Sequence, residues 1–338
     1  MARIAILGAG SWGTALSVIL WRARKPHEIS LWVRNPSFAE TLQTQRENST
    51  YLAGVRLPAG IRITHELPAA LAAAQVVIGA IPSAHAREIY KRAVPCVTPE
   101  MIFVSATKGL EPATHLRMSV VLAQVLAKAG TLEPSQRIAV LSGPSFAAEA
   151  ARGEPTAVVL AAQDASLASL LQEELSGPSF RLYTNDDVLG VELAGAMKNV
   201  MAIAAGACQG LGLGSNPLAA LITRGLAEMS RLAVALGARA ETLSGLAGLG
   251  DLVLTCTGTL SRNRHVGIEL GKGRKLPDIL AGMRMVAEGV DTAAPLLALA
   301  QEHGIEMPIT QQVDAILHHG KSPKDAIREI MDRPLKRE

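Results

Sequence analysis

Aromatic side chains are scarce in this chain of 338 residues: 4 Phe, 3 Tyr and 3 Trp make up 3% of it. Its cores must therefore be built from Ala, Leu, Val and Ile, within a hydrophobic content of 49%. Cysteine is equally sparse. Cys96, Cys208 and Cys256 are odd in number, far apart and in no metal-ligand spacing. They predict neither a disulfide framework nor a metal site, and read as reduced thiols of a cytoplasmic protein. A charge excess is missing too. The 33 Lys and Arg against 30 Asp and Glu leave a net +3, too little to argue for nucleic acid or a polybasic membrane anchor. There is also no clean membrane-length run. The most apolar long stretch, residues 191–213, contains Glu192 and Lys198 and is broken by Gly210, Gly212 and the following Gly214, so no membrane insertion is expected. Nor is a signal peptide expected, because residues 3–7 lead straight into a glycine turn.

What is present begins at that turn. An apolar strand pattern, Ile4 to Leu7, runs through Gly8-Ala9-Gly10-Ser11-Trp12-Gly13 into the apolar helical pattern that starts at Thr14. At such a junction the glycine spacing has a mechanical reading. Gly8 permits the tight turn, Gly10 lets a pyrophosphate approach the backbone, and Gly13 lets helix and strand pack closely. The helix-start amides then face the anion. The alternative is a plain strand–helix turn.

Strand patterns at 3–7, 28–33, 76–81, 101–106, 138–142, 156–160 and 180–183 alternate with helical ones. That alternation predicts an α/β fold: a Rossmann-like parallel-sheet domain over residues 1–185. Three strand tips are poorly suited to a core: Pro82-Ser83, Thr107-Lys108-Gly109 and Ser142-Gly143-Pro144-Ser145. The carboxyl ends of parallel strands line the ligand crevice, so these tips are candidate site walls. Residues 186–338 show helical patterns only and predict an all-α domain. A long helix over 188–208 is rich in Ala and Gly, which suits close packing. Helix starts are expected at Asn216-Pro217, at Asp291 or Thr292, and at Ser322-Pro323 with Asp325 in a capping-box-like arrangement. Gly237 and Gly304 are the expected stops.

Four places in this frame carry chemistry. After the second strand there is no acid to hold a ribose 2′-hydroxyl, and Arg34 stands where a 2′-phosphate would lie. That reads as NADP accepted alongside NAD, or as a solvent-facing loop arginine. Lys198 lies on an apolar helix between Met197 and Val200. Burial lowers a lysine pKa and would suit a general acid for carbonyl reduction; the other reading is a lysine that snorkels to an edge. Asp251 sits between a glycine-dense turn and an apolar run, as a helix cap or as the partner of a lysine or substrate hydroxyl. Ser261 is a natural cap, and the amides of Arg262, Asn263 and Arg264 would then form an anion nest, unless this is only a basic surface.

The ordered set of motifs resembles the bacterial type of NAD(P)-dependent glycerol-3-phosphate dehydrogenase. It comprises Gly8 to Ala15, Ala106-Thr107-Lys108-Gly109-Leu110, Leu141 to Ala147, Lys198-Asn199-Val200, Ala247 to Leu252, Ser261-Arg262-Asn263-Arg264 and Val286-Ala287-Glu288-Gly289. The glycine motif is shared by many dehydrogenases, whereas the whole set is specific. The resemblance implies catalytic Lys198, Lys108 and Asp251. It implies substrate contacts from Lys108, Gly143, Ser145, Lys198 and Asp251, with Ser261, Arg262 and Asn263 taking the phosphate. The cofactor, NAD or NADP, would meet Gly8, Gly10, Ser11, Trp12, Gly13, Arg34, Lys108, Ala147, Arg262, Val286 and Glu288. The implied reaction is reversible reduction of dihydroxyacetone phosphate to sn-glycerol 3-phosphate, for glycerophospholipid synthesis. A homodimer is compatible with the apolar helical half. The rivals are a ketopantoate-reductase-like enzyme with a carboxylate anchor, and a non-catalytic NAD(P) sensor.

Overall fold

Alternate residues of each central strand enter opposite cores. Ile4 and Ile6 of strand β1 (Ala2–Leu7) join one apolar cluster, and Ala5 and Leu7 the other. The same alternation divides Val76 and Ile78 from Val77, and Val104 from Phe103. A sheet buried on both faces is what a helix-wrapped parallel arrangement requires. Each large side chain buried this way contributes about 1.5–3 kcal/mol.

The computed structural model describes every residue except Ala129, Thr131, Leu132, Arg284, Lys336 and Glu338. The chain divides into two compact units, Met1–Glu192 and Leu193–Glu338. In chain order the strands after β1 are β2 (His27–Trp32), β3 (Glu47–Asn48), β4 (Leu52–Arg56), β5 (Arg62–Thr64), β6 (Val76–Gly79), β7 (Ile102–Ser105), β8 (Ile138–Ser142), β9 (Thr156–Ala162) and β10 (Phe180–Asn185). The main sheet has the order β10-β9-β8-β7-β6-β1-β2-β5, and β3 pairs with β4 alone. From β1 the chain moves to β2 on one side and later to β6 on the other, so the end of β1 is the topological switch point. Gly8 follows directly.

All seven expected strands form, with ends shifted by up to two residues. The sheet is not wholly parallel, however: β9 runs antiparallel to β8. The helix between them, Ala147–Arg152, has 6 residues and spans about 9 Å at 1.5 Å per residue. That is too short to carry the chain back along a strand of about 17 Å. The connection instead stays at the carboxyl end of β8, and β9 starts there.

The second unit is helical. Its glycines set the packing of the long helix Val188–Gly210, which lies in this unit from Leu193 onward, on the helix Arg262–Gly271. A Cβ on Gly206 would lie 2.0 Å from the Arg264 carbonyl oxygen, and one on Gly267 would lie 2.0 Å from that of Ile203. Gly210 and Gly271 repeat the contact one turn further on, at 2.2 Å from Ile268 O and 2.5 Å from Ala207 O. The two helices therefore touch backbone to backbone. Val188–Gly210 is the one helix among the described residues long and apolar enough to span a membrane, and 89% of its apolar window is buried inside the protein.

Two helix starts differ from expectation. The helix expected at Asn216 begins at Ser215, with Gly214 as its cap and Pro217 tolerated within its first turn. The one expected at Asp291 or Thr292 begins at Glu288 and has no side-chain cap of its own. Its first turn is satisfied from a distance, by Asn263 Oδ1 accepting from the Gly289 amide at 2.9 Å. Ser322 caps Pro323–Met331 as expected, accepting from the Asp325 amide at 3.1 Å.

Candidate active site

In the first unit the glycine turn performs three separate tasks. Gly8 holds φ +110°, and a Cβ there would lie 2.5 Å from Ala80 O. A Cβ on Gly13 would sit 1.8 Å from Gly8 O, so the helix Ser11–Trp21 seats directly on the turn. Around Gly10 nothing lies within 4 Å of a built Cβ. This is an open cradle at a helix start that has no side-chain cap, where the first intrahelical bond runs from Thr14 N–H to Gly10 O at 3.0 Å. An open cradle at the positive end of a helix fits the pyrophosphate of a dinucleotide. Trp12 is half-buried with its ring 6.4 Å from that of Phe180. Arg34 is exposed just past the end of β2.

Sequence reasoning missed what braces this turn. Asn48 is fully buried and donates from Nδ2 to Ala9 O at 2.9 Å and to Thr14 Oγ1 at 2.8 Å. Its Oδ1 accepts from the Tyr51 amide, and Ser11 Oγ donates to Tyr51 O at 2.7 Å. The β3–β4 hairpin, too short to show as a strand pattern, thus clamps the turn.

At the ends of β7 and β8 one carbonyl gathers three expected site residues. Gly143 O accepts from Lys108 Nζ at 2.9 Å and from Ser145 Oγ at 2.9 Å. Gly143 itself stands at φ +130°, close against Val158. Ala147 opens the helix that follows. The Lys108 loop is braced by a bidentate pair, Arg87 to Glu111 at 2.7 Å for both bonds, which holds the Glu111 carboxyl below its ordinary range.

In the second unit Lys198 and Asp251 meet. Lys198 Nζ donates to Asp251 Oδ1 at 2.7 Å and to Thr255 Oγ1 at 2.8 Å, and the two charged side chains are only 8% and 1% exposed. The local sequence explains the meeting. Leu246–Gly250 forms a wide π-type turn, in which a Cβ on Gly248 would lie 1.9 Å from Leu243 O, and Asp251 opens the next helix. Asp251 turns inward to the lysine instead of capping. Lys198 is therefore a buried, ion-paired lysine and does not snorkel. Thr255, one turn beyond Asp251, was not anticipated; its i+4 spacing was the available signal. Cys256 lies beside the pair, where burial pushes its thiol up to about 12 against the pull of the Lys198 ammonium. It is an inert core thiol.

The third cluster is the helix start at Ser261. Ser261 Oγ accepts from the Arg264 amide at 3.2 Å, so that amide does not belong to an anion nest. The Ser261 amide donates to Gly258 O at 3.3 Å. Among the described residues this leaves the amides of Arg262 and Asn263 for an anion. Arg262 is exposed, yet crowding by protein atoms lowers its pKa, opposed by the Glu288 carboxylate. Val286 is exposed two residues before the helix Glu288–Glu302, and Glu288 is half-buried at its head. The Asn263 side chain points inward, donating to Asn199 Oδ1 at 2.9 Å.

A switch-point glycine cradle and a buried lysine–carboxylate pair define a dinucleotide-dependent oxidoreductase. Residues 3–168 match the family described as NAD-dependent glycerol-3-phosphate dehydrogenase N-terminus, and residues 187–328 match its C-terminus. The chain belongs to this family. It is 54% identical over 335 residues to glycerol-3-phosphate dehydrogenase [NAD(P)+] of Koribacter versatilis, covering 99% of this chain and 98% of that one. It is 53% identical to the protein of the same description from Acidobacterium capsulatum, with 99% of each covered. The crystal structure of a glycerol-3-phosphate dehydrogenase from Coxiella burnetii superposes with a TM-score of 0.91 at 41% identity, covering 98% and 99% of the two chains.

Proposed function

We propose that this oxidoreductase interconverts dihydroxyacetone phosphate and sn-glycerol 3-phosphate, with Lys198 as its proton donor and acceptor. The buried Lys198–Asp251 pair carries this reading. A charged pair costs several kcal/mol to desolvate, and hydrophobic residues of similar size would hold the helices at least as well. Its retention is explained by work on a proton.

By the family resemblance Gly8, Gly10, Ser11, Trp12, Gly13 and Ala147 of the first unit, and Arg262, Val286 and Glu288 of the second, would hold the dinucleotide, which would supply or accept the hydride. The other steps belong to the chain. Arg262 and the amides at the Ser261 helix start take the substrate phosphate, and anchoring that remote group orients the carbonyl. Lys198 delivers a proton to the oxygen that becomes the alcohol. Asp251 and Thr255 hold Nζ in place, and Asp251 keeps positive charge on it until the transfer. Lys108, fixed on Gly143 O beside Ser145, adds positive charge near the developing alkoxide. Arg34 grips a 2′-phosphate, so NADP is accepted with NAD. A supply of glycerol phosphate for membrane lipid, a cytoplasmic site and a homodimer complete the proposal.

The test is oxidation of NADPH and NADH followed at 340 nm, with dihydroxyacetone phosphate, with a non-phosphorylated 2-oxo acid, and with neither. Turnover with the phosphorylated ketone alone is expected; preference for the oxo acid overturns the assignment. Lys198→Ala should lower kcat by roughly 10²-fold or more with cofactor affinity nearly unchanged. A near-normal kcat in that variant removes Lys198 from its role.

A further inference from the structure

We infer that Asn48 is a positioning residue for the cofactor: by holding the Ala9 carbonyl it sets the plane of the Ala9–Gly10 peptide and aims the Gly10 N–H into the cradle. The inference rests on the dinucleotide cradle of the proposed function and does not depend on which ketone receives the hydride.

The turn cannot fix this peptide itself, since Gly10 has no side chain and Ala9 only a methyl. The orientation is imposed from 39 residues away. Asn48 is fully buried, and both ends of its amide are engaged. Oδ1 accepts from the Tyr51 amide at 3.0 Å, while Nδ2 donates to Ala9 O at 2.9 Å and to Thr14 Oγ1 at 2.8 Å. Neither end can be reversed. A backbone N–H only donates and a backbone carbonyl only accepts, so Oδ1 faces Tyr51 and Nδ2 faces Ala9. In a trans peptide the C=O and N–H of one unit point in opposite directions, and no peptide among the described residues is cis. With Ala9 O drawn toward the β3–β4 hairpin, the Gly10 N–H points away from it. That N–H has no acceptor among the described residues, and a Cβ built on Gly10 meets nothing within 4 Å. The next peptide is fixed as well, because the Thr14 amide donates to Gly10 O at 3.0 Å.

Asn48 is itself held firmly. At the base of the hairpin the Leu57 amide donates to Arg46 O at 2.7 Å, and Arg46 Nη2 donates to Ile61 O at 2.9 Å. At its tip the Tyr51 ring meets that of Phe38 edge-on, with centroids 5.5 Å apart. The chemistry of the side chain also suits the task. A carboxylate in this place would repel both Ala9 O and a pyrophosphate, and an ammonium would compete with the helix start for the anion. A neutral amide orients the peptide and adds no charge.

The test compares ligands with and without a pyrophosphate, using fluorescence titration for NADPH and ligand-observed NMR for ADP-ribose and adenosine. Asn48→Ala should weaken NADPH and ADP-ribose by the same factor, roughly tenfold, and leave adenosine within about twofold. In turnover, KM for NADPH should rise by that factor with kcat at saturating cofactor nearly unchanged. Unchanged NADPH affinity overturns the inference. So does an equal loss for adenosine, which marks a general loosening of the unit. Thr14→Val keeps the bond to Ala9 O and should leave NADPH affinity within about twofold; a loss as large as that of Asn48→Ala assigns the effect to the helix start and also overturns it. Should Asn48→Ala fail to fold, Asn48→Asp decides. It has the same shape and still accepts from the Tyr51 amide, but its carboxylate donates nothing to Ala9 O. NADPH should be weakened at least as much, and wild-type affinity overturns the inference. Failure of the wild type to bind ADP-ribose removes the cradle itself, whereas wild-type binding with an unaffected variant removes only the role of Asn48.

Discussion

Arg34 and Lys198 show two opposite ways in which one cationic residue acquires a task. Arg34 is exposed just past the end of β2, with no acid beside it in sequence, and in the role proposed above its worth would depend on a phosphate arriving. Arg34→Asp should lower kcat/KM with NADPH by roughly tenfold or more while sparing NADH. Steady-state kinetics with both cofactors checks it, and equal loss would make Arg34 structural. Lys198 is fixed beforehand by Asp251 and Thr255. Its burial was legible in the run of apolar neighbours, and so was the need of Asp251 for a partner. A lysine was one of the partners the sequence offered Asp251, beside a substrate hydroxyl or a helix start, and only the tertiary fold, which brings residues 198 and 251 together, decides among them. The same limit hid the inward turn of Asn263: a local reading offers its side chain to solvent, and Gly289 and Asn199 claim it from a distance.

Among the elements, strands and long helices were read well because their periodicity is local. The short ones were not. The β3–β4 hairpin that clamps the glycine turn has too few residues to show a period, and the head of the Glu288 helix draws its cap from another helix. The glycines allow two contrasting tests. A methyl on Gly267 meets the backbone oxygen of Ile203 at 2.0 Å, and a backbone cannot swing aside as a side chain can. Gly267→Ala should cost about 1–3 kcal/mol or more, seen as a lower urea midpoint at unchanged slope. At Gly10 the space is open, so Gly10→Ala should change stability by no more than about 0.5 kcal/mol. It should nonetheless weaken NADPH binding, because the added methyl occupies the cradle. Unfolding and cofactor titration on the same two variants separate packing from binding.

For the molecule as a whole, pH dependence of stability sums opposing terms. Hydrogen bonds from Lys272 and then Arg274 hold the Glu269 carboxyl down to about 2, against an ordinary 4.5. A folded-state pKa below the unfolded one gives stability that is complete above the unfolded value and lost as pH falls through the folded one. Glu111 acts in the same sense through Arg87. Glu228 acts oppositely. Burial raises its pKa although it accepts from the Ile309 and Thr310 amides at 2.9 Å, so its contribution is greatest in acid and lost as pH rises. Melting temperature should therefore fall between about pH 5 and pH 2, and Glu269→Gln should flatten that fall without abolishing it. Thermal scans of both proteins across this range give the answer. The division into a sheet half and a helical half was legible from the alternation of patterns; the reversed direction of β9 was not, since it turns on the length of one short helix. The glycine contacts between Val188–Gly210 and Arg262–Gly271 carry one further consequence. On the proposed roles, these backbone contacts set the gap between proton donor and phosphate anchor. Substitutions elsewhere on either helix should leave it in place, as a fixed ruler for the length of the substrate.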